Sequence, residues 1–201
     1  MSSWRDRFSQ LSGKVRFVVC RLFIHLTGEE VAALLGTFNL AAQEAVEAEG
    51  DIGVMGDGLV EICQRLLQHD TYWQSAANEG SVFWDEGEAG DYVTELFTDS
   101  AQRYRSAPEF SDTPERANEV LSLPITRNLI VMLTVAYEGE VAELEANLAS
   151  MDGLRAGLKA LINLHYQQKI RAVHIHFCPA RLGDTLTSDQ VLLNFPELIP
   201  L

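Results

Sequence analysis

The sequence predicts an α+β fold: a small three-stranded mixed sheet covered by helices, in the order β-α-α-α-β-α-β-α. Three observations lead there. Two long runs rich in β-branched and aromatic residues, 14–26 and 128–137, have the composition of buried strands. Several windows repeat apolar residues with the helical period, and an alternating run over 169–178 follows the last long helical window.

Residues 14–26 (KVRFVVCRLFIHL) are apolar at most positions on both faces and stop at Thr27-Gly28, which makes them the first strand. Arg21 and His25 interrupt the run, and it is shorter than the roughly 20 residues of a membrane span, so it is not read as an anchor. Thr27 stands three residues before Glu30, a capping-box spacing. Leu34, Phe38, Ala41 and Ala45 then share one face of a helix over 29–48. After a glycine-rich break, Leu59, Ile62, Cys63, Leu66 and Leu67 mark a second helix ending near His69. The window 87–105 repeats the pattern more weakly through Tyr92, Leu96, Phe97 and Tyr104.

Residues 128–137 (NLIVMLTVAY) are almost continuously apolar, as a central strand buried on both faces should be, and Glu138-Gly139 ends them. Leu154, Leu158, Leu161, Ile162 and His165 form one stripe of a helix over 152–166. Residues 169–178 (KIRAVHIHFC) alternate, with Val173, Ile175 and Phe177 on one face and Pro179 as a stop. The strand-helix-strand spacing permits a right-handed parallel crossover and leaves antiparallel pairing open. Thr187 and Gln190 repeat the capping-box spacing before a short last helix that Pro196 terminates.

The length of 201 residues suits one α+β domain over 1–201, with 1–13 as a flexible N-terminal segment. Hydrophobic residues at 47% and charged residues at 22% exclude wholesale disorder. A net charge of −14 repels phosphate backbones, so no nucleic-acid partner is expected. The charge is uneven. Residues 1–28 carry five bases and one acid, 29–150 five bases and 24 acids, and 151–201 five bases and four acids. An acidic middle between basic flanks either closes on itself or meets a partner. Cys20, Cys63 and Cys178 are far apart and each lies in an apolar run, which implies reduced thiols and a cytosol-like compartment.

The strongest chemical pattern is His174-x-His176-x-Cys178. A period of two puts imidazole and thiolate donors on one strand face, as a zinc or copper site requires; the alternative is a half-exposed sheet face. Nearby, only Arg171 and Arg181 stand where an orienting carboxylate is wanted. Gly50, Gly53, Gly56 and Gly58 precede a helix, but Asp51 and Asp57 would repel a phosphate and no lysine follows, so a flexible turn and helix start is expected. Asp85, Glu86, Glu88 and Asp91 lack EF-hand spacing, so residues 79–91 are expected to be a solvated acidic loop. No G-x-S-x-G elbow occurs. Tyr72, Trp73, Phe83 and Trp84 flank the acidic loop, either pinning it to the core or forming a recognition patch.

The C-terminal run from Gly183, Asp184, Thr185, Leu186, Thr187, Ser188, Asp189 and Gln190 to Phe195, Pro196, Glu197, Leu198, Ile199, Pro200 and Leu201 resembles the closing signature of domain-of-unknown-function family fifteen-seventeen. This cyanobacterial and plastid family includes the plant fluctuating-light acclimation protein. The run Leu66 to Trp73 (LLQHDTYW) is similar to its helix end, and Ala172-Val173 with the following strand and Pro179 is similar to its last strand; the resemblance spans about 16–201. It implies association with photosynthetic membranes and acclimation to changing light, in a regulatory or assembly role with no established catalytic residues.

The expectation is therefore a protein that is not an enzyme, carries no cofactor, and is cytoplasmic and peripheral to the thylakoid. It would bind a protein partner, a photosynthetic complex component, through Arg5, Arg7, Lys14, Arg16, Phe83 and Trp84. Two alternatives are a metal protein using His174, His176 and Cys178, and a peripheral membrane-surface binder acting through the basic N-terminus. The Gly-rich, hydrophobic N-terminal region of many relatives has no counterpart, which argues against a direct anchor. The family generally carries other residues at 174, 176 and 178.

Overall fold

The computed structural model describes residues 15–28, 31–106, 127–180 and 184–201. The chain forms β1 (Phe17–Thr27), α1 (Val31–Glu47), α2 (Ile52–Gln68), a 3-10 turn (Asp70–Tyr72), β2 (Trp73–Phe83) and α3 (Glu86–Ser106). It continues with β3 (Asn128–Glu138), α4 (Met151–Tyr166), β4 (Ile170–Cys178), α5 (Ser188–Asn194) and β5 (Ile199–Pro200). The α+β class holds. The sheet, however, has five strands among the described residues, in the order β4-β3-β1-β2-β5, and every pairing is antiparallel. The expected three-stranded mixed sheet is thus corrected in strand number and direction.

The two strands missed were missed for different reasons. β2 (WQSAANEGSVF) is largely exposed beyond Ala77 and has weak intrinsic β preference. It is a strand because β1 pairs with it along its whole length, from Phe17 opposite Phe83 to Leu26 opposite Trp73. Gly80 is required there, since a Cβ would stand 2.5 Å from the Val19 carbonyl oxygen. The expected acidic loop over 79–91 is therefore the end of β2 and the first turns of α3. β5 has only two residues, held by pairing of Ser75 with Pro200 and Ala76 with Ile199, and by the Leu201 N–H donating to the Gln74 carbonyl.

Antiparallel pairing of β3 and β4 follows from the path between them. Residues 139–150 run back before α4 begins, and α4 returns the chain to the end where β3 finished, where the Glu138 N–H donates to the Lys169 carbonyl. The glycine run is a turn followed by a helix start, as expected. Gly50, at φ 78°, follows α1, the Asp51 carboxylate caps α2 through the Gly53 and Val54 N–H groups, and Gly53, Gly56 and Gly58 lie inside that helix. Gly56 has a packing reason: a Cβ would meet His165 Nδ1 at 2.2 Å.

The sheet is sandwiched. On one face Val18, Cys20, Leu22, Ile24 and Leu26 of β1 and alternate residues of β3 pack under α1, α2 and α4. On the other, Phe17 and Val19 pack under α3, and Phe23, Ile130 and Met132 pack with Val191 of α5 and Phe195 just beyond it. Each of the two long strands is therefore buried on both faces, which is why both read as continuous apolar runs.

Candidate functional site

The face under α3 carries the unusual chemistry. Strand register sets His174 of β4, Thr134 of β3, Arg21 of β1 and Glu79 of β2 in one row, and His176, Met132, Phe23 and Ala77 in the next. Arg21 is 2% exposed on a strand otherwise made of core residues. Its guanidinium donates to Glu79, to the Leu96 carbonyl at 3.0 Å and to Ser100 Oγ at 2.8 Å, and it pairs with Asp99 at 2.7 Å. Arg103 extends the network to Asp99, Glu197 and the Asn194 carbonyl. Among the described residues, every polar partner of Arg21 except Glu79 lies on α3, so this buried cation fastens the helix to the sheet.

His174 and His176 share that face with Cys178, as the period of two requires, but the three do not converge. Phe97 of α3 lies against both imidazoles, with ring centroids 4.9 and 5.1 Å away. Cys178 is buried instead in the cluster under α5. No three His, Cys, Asp or Glu side chains among the described residues are placed to hold a metal ion. Burial lowers the pKa of His174 and pushes that of His176 down to about 4, helped by the neighbouring His174 and Arg21 charges. Burial, with the Asp184 charge, pushes the Cys178 thiol up to about 11. Both imidazoles are neutral at pH 7, and the thiol is protonated.

Around the outer edge of β4 lies a cleft of about 200 Å³. Phe38, Ala41, Ala42 and Ala45 of α1 and Met55, Gly58 and Ile62 of α2 line one side, Phe97 the other, and residues 173–177 the floor. None of these side chains is ionised at neutral pH. His176 Nδ1 is buried there without a partner, and so is Thr134 Oγ1 between Arg21 and His174. Of this cleft the expectations from sequence contained His174 and His176, as candidate metal ligands, but neither its walls nor its shape. Gly58, a glycine inside a helix without a close neighbour, was a further signal for its helical wall.

A second polar group joins residues distant in sequence. The Asn128 amide donates through Nδ2 to the Leu186 carbonyl at 2.7 Å, which turns Oδ1 toward the Thr27 hydroxyl at 2.9 Å and His25 Nε2 at 3.1 Å. Nε2 therefore carries the proton, leaving Nδ1 to accept from the Ser75 hydroxyl at 3.2 Å. This is the donor order of an oriented serine-imidazole pair. Ser75, however, is buried between β1 and β5 and does not line the cleft. The arrangement ties the strand ends to the C-terminal segment.

The expected partner residues separate. Arg5, Arg7 and Lys14 lie outside the described residues. Arg16 is turned inward, donating to the Gly139 carbonyl and pairing with Glu145, so it is committed within the molecule. Phe83 packs on Tyr92 and the small core under α3, while Trp84 beside it is 40% exposed.

The family described as "Protein of unknown function (DUF1517)" matches residues 16–201. The chain belongs to this family. All five strands and all five helices of the described residues lie within the matched span. No curated protein and no solved structure matches. This DUF1517 chain has no helix, among the described residues, that is long and apolar enough to cross a membrane.

Proposed function

We propose that this DUF1517 protein is a non-enzymatic regulatory or assembly factor that binds a protein partner in photosynthetic light acclimation near the thylakoid surface. The observation that carries the reading is family membership over 16–201; the photosynthetic setting is what the family resemblance implies. The site chemistry is compatible with binding. Arg21 and Arg103 on the α3 face are spent on ion pairs within the fold, the imidazoles are neutral, and the open cleft is apolar. Proximity labelling from the full chain in its host during light shifts tests it. The expected result is enrichment of a photosynthetic complex component, and slow recovery of photosynthesis in a deletion strain. A labelling profile equal to the unfused control, with normal recovery of the deletion strain, overturns it.

A further inference from the structure

The end of β2 divides its side chains between the interior and the surface. Phe83 sets its ring against Tyr92, with 5.4 Å between centroids, and joins the small core under α3. Alternation turns Val82 to the opposite face of the sheet, where it is 42% exposed. Trp84 follows, 40% exposed, and Asp85 then opens α3 by accepting from the Glu88 N–H at 3.1 Å. Tryptophan is highly buried on average, so an indole this far in water, next to an exposed valine, is the informative exception.

The surface around Trp84 is acidic. Asp85, Glu86, Glu88 and Asp91 follow it in the chain and are all exposed. Glu86 and Glu88 lie in the first turn of α3. Four residues span at most about 14 Å when extended, and less in a helical turn, so both carboxylates stand within a side chain's reach of the indole. Acids in a first turn suit the helix dipole, but that role needs no exposed indole beside them. An indole face and carboxylates together are what a guanidinium binds: the ring attracts the cation, and the carboxylates accept its forked N–H groups. The chain uses the same combination inside the fold, where Arg21 Cζ lies 4.6 Å from the Phe23 ring centroid while the guanidinium pairs with Glu79 and Asp99.

We infer that the end of β2 and the first turn of α3, through Val82, Trp84, Glu86 and Glu88, bind an arginine-bearing segment of a partner protein. Its guanidinium lies over the Trp84 indole and meets the carboxylates, and an apolar neighbour rests on Val82. The inference rests on the partner-binding reading above and names the surface and the partner's chemistry. Charge selects this occupant. A net charge of −14 steers a basic segment toward the molecule and opposes a second copy of the chain. Arginine is favoured over lysine because a planar guanidinium stacks on an aromatic face and forks to carboxylates, whereas an ammonium is a strongly hydrated point charge. Tryptophan is also the side chain that most often anchors an interface, which makes Trp84 the centre of the contact and the acids its rim.

Panning a random nine-residue peptide display library on the full chain tests the assignment. Enriched peptides should carry arginine next to an apolar residue, and their binding should weaken at least tenfold between 20 and 500 mM NaCl. They should shift the indole N–H resonance of Trp84 and leave that of Trp73, which is buried, in place. Trp84→Ala should weaken binding at least tenfold. The double change Glu86→Gln and Glu88→Gln should weaken it at least fivefold and flatten its salt dependence. All three positions are exposed, so the fold should survive these changes. No enrichment, enriched peptides without a cation, binding that salt leaves unchanged, or equal affinity for Trp84→Ala overturns the assignment. Two other occupants are read in the same way. If the full chain with Arg5→Gln, Arg7→Gln and Lys14→Gln binds peptide at least tenfold tighter, its own basic N-terminus holds the surface. If Trp84→Ala dissolves a concentration-dependent dimer, a second copy holds it. Either result overturns the inference. A photosynthetic partner that binds Trp84→Ala as tightly as the parent chain leaves the partner reading standing and removes this surface. Arginine peptides bound at Trp84 without any photosynthetic partner do the reverse.

Discussion

Arg21 is the residue whose role was least visible before the fold was known. In the sequence it is one cation interrupting an apolar run. In the structure it is the only ionised side chain among the buried polar residues described, and it reaches Glu79, Leu96, Asp99 and Ser100 at once. Its neighbours Val19 and Phe23 would be satisfied by any apolar residue at 21, so the conformation of α3 is what the guanidinium specifies. Arg21→Ala should cost about 2–4 kcal/mol in urea unfolding, because charge-assisted bonds are lost while the two carboxylates, partly exposed, can rehydrate. Arg21→Lys should recover less than half of that, since an ammonium is a compact point charge without the planar donor set that bonds Glu79 on one side and Leu96 and Ser100 on the other. A loss below 0.5 kcal/mol for Arg21→Ala, on the scale of an exposed pair, would mean the network does not hold α3.

At the scale of elements, legibility followed burial. β1, β3 and β4 could be read because their own side chains are buried on one face or both, and the period of two correctly put His174, His176 and Cys178 on one side. β2 could not, because its second half is exposed and its conformation comes from β1. The site was illegible for a related reason: Phe97 sits on a weakly patterned helix and Gly58 in a run that resembles a loop, and only the third dimension sets them on either side of β4. The C-terminal elements were readable through capping. In α5 the Thr187 hydroxyl accepts from the Gln190 N–H, and the Gln190 side chain accepts from the Thr187 N–H. The helix has only seven residues and packs through Val191, with Phe195 just beyond its end, so the cap is a large share of its stability. Thr187→Ala should lower global stability by about 1 kcal/mol and speed amide exchange in α5 and at Leu201, leaving exchange in α2 unchanged. Uniform acceleration across both helices would show that α5 has no independent opening.

For the molecule as a whole, the uneven charge seen in the sequence closes on itself. Bases from the flanking regions meet acids of the middle: Arg16 with Glu145, Arg21 with Glu79 and Asp99, Arg155 with Asp70, and Arg171 with Glu138. The excess acids of the middle remain, and their mutual repulsion opposes compaction. Two effects then compete as pH falls from 7 to 5. Approaching the pI of about 4.7 relieves that repulsion, which stabilises. His25, His174 and His176 act the other way. Burial lowers each pKa in the folded state, so in this window the unfolded chain binds more protons and stability is lost as pH falls from the ordinary histidine value near 6.5 toward about 4 for His176. Below that, the lowered Glu145 carboxyl beside Arg16 adds a further loss. Salt separates the two effects, because it screens repulsion between exposed acids far more than it eases the desolvation of buried imidazoles. Urea unfolding should therefore show a larger loss between pH 7 and pH 5 at 500 mM NaCl than at 20 mM. In His176→Gln, which cannot ionise, the high-salt loss should shrink by about 1 kcal/mol after allowing for partial exposure. Equal losses at both salt concentrations would mean that acidic repulsion is too weak to matter, and an unchanged loss in His176→Gln would mean that the imidazole under Phe97 is hydrated.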